Sequence, residues 1–140
     1  MLKKRSDVYY TSTLLDTIVG LKHGFSSRRL GDMKIQRSNR KRFMSHLNIS
    51  ESPRMGQQIH GTKVKTIQEE RLLMFTRVDG LVTRKHIPIG VVTADCVPIL
   101  LVDPKTHIIG AVHVGWKGTI GKIAMQAIIQ MKDIGANPEN

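Results

Sequence analysis

A chain of 140 residues, 40% of them hydrophobic and without the roughly 18 consecutive apolar residues of a membrane span, is expected to form one soluble globular domain. Its formal net charge of +11 is uneven: residues 1–54 hold 12 Lys and Arg against 4 Asp and Glu, while residues 55–140 hold 10 against 7. A single cysteine excludes an internal disulfide, and no apolar stretch follows the N-terminal charges, so no secretory signal is indicated and the cytoplasm is the expected compartment.

Along the chain, residues 8–12 and 18–25 are predicted as short strands, and residues 38–48 as a helix with Phe43, Met44 and Leu47 on one side. The basic run Arg37, Arg40, Lys41, Arg42 falls on that helix, where it is either a solvated face or a phosphate-binding one. Six scattered aromatics offer no stacking platform, which argues against single-stranded nucleic acid as the partner. Residues 63–67 alternate polar and apolar side chains like a half-buried strand, and apolar runs at 80–83, 87–93, 97–102 and 108–114 predict further strands. Between the last two, Asp103-Pro-Lys-Thr106 has the turn chemistry of a hairpin. Apolar residues at helical spacing from Ile120 to Ile134, followed by Gly135 and Pro138, predict a final helix over 119–134.

Three side chains carry the metal chemistry of this sequence: His60 in Gln-Ile-His-Gly, Cys96 in Thr-Ala-Asp-Cys, and His113 in His-Val-Gly-Trp-Lys-Gly. A thiolate and two imidazoles are the soft set that zinc or copper prefers, and three protein ligands leave a position open for water or substrate. Each also has a plainer reading. Cys96 suits a small buried hydrophobe, His113 shares a strand face with Ile109 and Ala111 as a core histidine would, and His60 lies in a loop. Separations of 36 and 17 residues match no short zinc motif, so convergence of the three is left open by the residues alone. Asp95 stands beside the thiol, and an acid between buried strand segments is costly unless paired or used. Lys117, with the N–H groups of Gly118 and Thr119 at the start of the final helix, offers an anion site, although a solvent-facing lysine is as good a reading.

Taken in order, Gln58-Ile-His60-Gly61, Asp79-Gly-Leu-Val-Thr83, Thr93-Ala-Asp-Cys96-Val-Pro-Ile-Leu and His113-Val-Gly-Trp-Lys-Gly118 closely resemble the purine nucleoside phosphorylase family formerly described as polyphenol oxidoreductases or laccase-domain proteins. The likeness is strong from about Met55 to Pro138 and weaker before, where Gly24-Phe-Ser-Ser-Arg28 and Asn39-Arg40 resemble N-terminal signatures. It implies zinc held by His60, Cys96 and His113, and purine nucleoside and phosphate as substrates. Phosphorolysis of adenosine, inosine or methylthioadenosine and deamination of adenosine are the implied activities. Asp95 is then the candidate proton shuttle and Lys117 the candidate phosphate binder, with Arg28 and Gln58 as further substrate or phosphate contacts. The implied fold is α+β, a mixed and largely antiparallel sheet layered with helices, related to the Cys-His deamidase toxin fold. Family domains continue beyond the equivalent of Asn140, so residues 1–140 are expected to be a single, C-terminally incomplete domain.

Two other readings compete. Cys96 activated by His113 would make a cysteine hydrolase or deamidase, and the basic first half would make a nucleic-acid or anion-binding module. The older multicopper oxidase reading is set aside, because the sequence offers one candidate metal site where that chemistry needs several.

Overall fold

The computed structural model describes residues 1–68 and 71–140, which gather into two compact units, Met1–Ser52 and Pro53–Asn140. The first unit holds an antiparallel sheet of β1 (Leu2–Lys4), β2 (Tyr9–Ser12) and β3 (Phe25–Ser26), and the helix α1 (Arg37–His46). Its core is small: Leu30 and Met44 are the buried apolar side chains, and the Arg5 guanidinium bridges Asp16 (2.7 Å) and Thr11 (2.8 Å). The expected strand over residues 18–25 is not formed. A turn from Ile18 to Leu21, with Gly20 at φ +82°, breaks the run and leaves only Phe25 and Ser26 in the sheet.

The second unit contains β4 (Arg54–Gly56), β5 (Val64–Ile67), β6 (Met74–Phe75), β7 (Gly80–Thr83), β8 (Ile89–Gly90), β9 (Val97–Asp103) and β10 (Ile108–Val114). The helices α2 (Trp116–Ile120) and α3 (Ile123–Asp133) follow. A four-stranded sheet has the order β5-β7-β10-β9, in which β5 and β7 are parallel and the other pairs antiparallel; a second, wholly parallel sheet has the order β6-β4-β8. Among the described residues, the expected mixed, largely antiparallel sheet is three sheets, one of them parallel, in a mixed α+β architecture.

Side-chain alternation builds the layers. On one face of the larger sheet, Val82, Ile108 and Val112 meet Ile123, Ala127 and Met131 of α3; on the other, Ile67 and Leu81 meet Val78 and Ile87, with Phe75 and Ile89 of the smaller sheet packed on them. Residues of β7 are therefore buried on both sides, and the run 80–83 reads as continuously apolar because it has no solvent face. The β9–β10 hairpin forms as expected, with Ile108 paired to Asp103 and Val114 to Val97. Asp103 Oδ1 accepts from the N–H groups of Lys105 and Thr106, and Oδ2 accepts from Asn137 N–H at 2.8 Å, so one carboxylate joins the hairpin turn to the segment after α3.

Two expected elements differ. Residues 87–93 contribute only Ile89 and Gly90 to a sheet, because the backbone of Val92 is held by the Gln58 side chain instead of by a neighbouring strand. The final helix is two helices, interrupted at Gly121 and at Lys122, whose φ is +56°. A Cβ on Gly121 would fall 2.3 Å from Thr62 Cγ2, so glycine allows the end of α2 to lie against that loop, and the break turns Ile120 outward. Beyond α3, Gly135 N–H donates to Lys132 O and Ala136 N–H to Met131 O, the paired bonds of a Schellman stop. No helix among the described residues is long and apolar enough to cross a membrane.

Ile123→Ala, at a wholly buried contact between α3 and the sheet, is expected to cost about 2–5 kcal/mol in urea unfolding. Burial pushes the Asp103 carboxyl upward, but the Asn137 N–H, with Thr106 and Asn140 adding to it, outweighs burial and holds it well below the usual carboxylate range. A depressed carboxylate stabilises the fold above its unfolded pKa of about 3.9, and that stability is lost as pH falls through the folded value. Urea midpoints of Asp103→Asn should accordingly fall less steeply with acidification below about pH 4 than those of the parent chain.

Candidate metal centre

Period two along β9 and β10 explains why a cysteine and a histidine from two strands meet. Pro98 is the partner of His113, and Cys96 lies two residues before Pro98, so its side chain shares the His113 face immediately before the start of β9. Val112 faces α3, whereas His113 turns to the opposite side and is 3% exposed. His60 comes from the loop joining β4 to β5, with φ +58°. Its ring stands edge-on to that of His113, with centroids 4.8 Å apart.

The ligand atoms of His60, Cys96 and His113 all lie within 4.8 Å of one another. A tetrahedral ion bound through two imidazoles and a thiolate sets its ligand atoms roughly 3.3–3.6 Å apart, so this envelope is on the scale of a first-row metal site. Burial grades from enclosed His113 through partly covered Cys96 to exposed His60, leaving one side open to solvent. The donor set fits zinc or copper, and the group can hold a metal.

Asp79, 1% exposed, stands at the entry to β7. Its Oδ1 lies 2.9 Å from His113 Nδ1 and accepts the His60 N–H at 2.9 Å; Oδ2 accepts the Gly61 N–H at 2.9 Å; the Ile59 N–H points at both oxygens. Burial pushes this carboxyl upward, but the hydrogen bonds from His113 and from the backbone of Gly61, Ile59 and His60 outweigh it and hold Asp79 below the usual carboxylate range. Gly115 is the other close neighbour. A Cβ there would approach His60 Cδ2 to 3.1 Å and Cys96 Sγ to 3.5 Å.

Gln58 Nε2 donates to Val92 O at 2.7 Å and its Oε1 accepts from Val92 N–H at 2.8 Å, tying the segment before Cys96 to the loop before His60. Asp95 is exposed and does not occupy the buried setting that drew attention to it. Lys117 is exposed on α2, its ammonium 5.4 Å from the centroid of the exposed Trp116 ring. The Thr119 N–H is spent on Gly115 O, since the helix begins earlier than expected. Arg28 is an exposed residue of a short 3-10 turn, Arg28–Leu30, in the first unit. Sequence reasoning gave no role to Asp79 or Gly115. An acid between Val78 and Gly80, amid apolar residues, was the available signal for the first.

A family model described as multi-copper polyphenol oxidoreductase laccase matches residues 24–140. A purine nucleoside phosphorylase from Deinococcus radiodurans is 43% identical over 83 residues, 59% of this chain and 32% of its own length. Adenosine deaminase RL5, from an unknown prokaryotic organism, is 43% identical over 91 residues, 59% of this chain and 35% of its own length. The chain thus spans about a third of the length of these curated relatives. Among solved structures, the Bacillus licheniformis hypothetical protein YfiH superposes with a TM-score of 0.83 at 20% identity over 98% of this chain and 61% of its own, which shows a shared fold.

Gly115→Val is expected to crowd His60 and Cys96 at an overpacking cost of about 1–3 kcal/mol, which would weaken any binding of added zinc ion by about 5- to 140-fold in a chelator competition.

Proposed function

This chain belongs to the family described as multi-copper polyphenol oxidoreductase laccases, and from that premise we propose that it is a zinc-dependent purine nucleoside phosphorylase. Adenosine, inosine or methylthioadenosine would react with phosphate to give the free base and ribose 1-phosphate, with deamination of adenosine as a companion activity. The observation that carries the reading is the convergence of His60, Cys96 and His113 within 4.8 Å, in a chain 43% identical over 83 residues to a purine nucleoside phosphorylase. One donor cluster of this kind among the described residues suits single-metal chemistry better than electron transfer between several coppers.

Held by His60, Cys96 and His113, zinc would supply a Lewis acid. The chain's own residues do the rest. In phosphorolysis a phosphate oxygen bonds to ribose C1′ as the bond from C1′ to the purine breaks, and the base leaves with the electron pair and takes up a proton. Lys117, exposed and positively charged, is assigned to hold the phosphate, and the Asp95 carboxyl to shuttle the proton in the companion deamination. Arg28, exposed in the first unit, remains a candidate anion binder there, and Gln58 keeps one N–H for substrate after its exchange with Val92.

A second reading has its own support. The 2.9 Å contact of Asp79 with His113 Nδ1 is the orienting bond of a nucleophile–base–acid relay, in which Cys96 would attack and His113 take its proton. His60 has no task in that scheme, which is why the metal reading is preferred.

The purified chain incubated with adenosine should release adenine only when phosphate is present. His60→Ala, Cys96→Ala and His113→Ala should each lose zinc and drop activity by more than the roughly 100-fold that loss of an outer partner of a metal ligand costs. Full activity in zinc-free protein would remove the metal from the mechanism, and activity that survives a chelator but is abolished by alkylating Cys96 would favour the nucleophile.

A further inference from the structure

We propose that Asp79 is a positioning residue that assembles the metal centre in advance, one buried carboxylate fixing both histidine ligands, His113 through its ring and His60 through its backbone. An ionised carboxylate only accepts hydrogen bonds, so the 2.9 Å contact places the imidazole hydrogen on His113 Nδ1 and leaves the lone pair on Nε2. With the ring 3% exposed and held at Nδ1, Nε2 is the nitrogen available to a metal. The same carboxylate closes a backbone nest. Consecutive N–H groups of Ile59, His60 and Gly61 converge on it at 2.9–3.3 Å around the left-handed His60, and such a concavity is an anion site that here takes a side chain of the chain itself. Those bonds offset the steric cost that a residue with a Cβ pays for φ near +58°.

The main chain of Asp79 is anchored as firmly as its side chain. Its N–H donates to Lys63 O at 2.9 Å, and its carbonyl accepts His113 N–H at 2.7 Å, so the residue links the end of the His60 loop to β10. Asparagine in its place would turn an NH2 group toward N–H donors and strand at least one of them, and glutamate would need room for a methylene where the residue is 1% exposed. Shape and charge together call for aspartate.

Asp79 has this role only if His60, Cys96 and His113 take a metal, as proposed above, and zinc affinity measured without nucleoside can fail separately from phosphorolysis. In metal-free parent protein carrying nitrogen-labelled histidine, NMR should find His113 as the Nδ1–H tautomer. Asp79→Asn should lose that signature and bind zinc ion about 10- to 100-fold more weakly in a chelator competition. Equal zinc affinity in parent and variant would overturn the proposal. So would an Nε2–H tautomer in the metal-free parent, a measurement that stands even where the variant does not fold.

Discussion

A charge removed from water must be answered by donors, and the carboxylate of Asp79 is where this protein meets that demand. Its two oxygens collect a ring nitrogen from β10 and three backbone N–H groups from the loop after β4, while its backbone joins both neighbours. Because the donors come from segments far apart in the chain, satisfying this one group fixes where the loop lies on the sheet. The positions of His60 and His113 follow from that, and Cys96 arrives separately through the register of the hairpin.

The parts of the fold that the sequence makes legible are those governed by local rules. Strand β10 and the hairpin turn follow from an apolar run and from Asp103-Pro-Lys-Thr106, and the structure bears out both. The stop after α3 is equally local, since Gly135 needs only the preceding turn to act. Failures occur where a tertiary contact overrides a pattern. The helical period from Ile120 to Ile134 continues through Gly121 and Lys122, and the helix is interrupted where Gly121 lies against Thr62, distant in sequence, and Lys122 turns left-handed. Similarly, Val91 and Val92 have strand-like side chains but no neighbouring strand, because Gln58 supplies the hydrogen bonds that a neighbour would.

The site shows the same division. His60, Cys96 and His113 are recognisable as soft donors, yet their convergence depends on strand register and on a loop conformation that no spacing rule encodes. An acid buried amid apolar residues must be paired, which is the case of Asp79 and not of Asp95, which the structure leaves exposed. Both acids neighbour apolar runs. What separates them is that β7 is covered on both faces whereas the turn before β9 is not, a difference of layering invisible along the chain.

The Asp103 clasp and the candidate ligands Cys96 and His113 sit at opposite ends of the same hairpin, the first where Asp103 pairs with Ile108 and the second where Val97 pairs with Val114. Seven-residue strands separate these ends by about 20 Å, beyond the range at which substitutions usually couple. Selection can therefore act on them independently. Changes at the turn can retune the durability of the fold while leaving the donor set untouched, and the open end is free to vary its rim without loosening the hairpin that carries it.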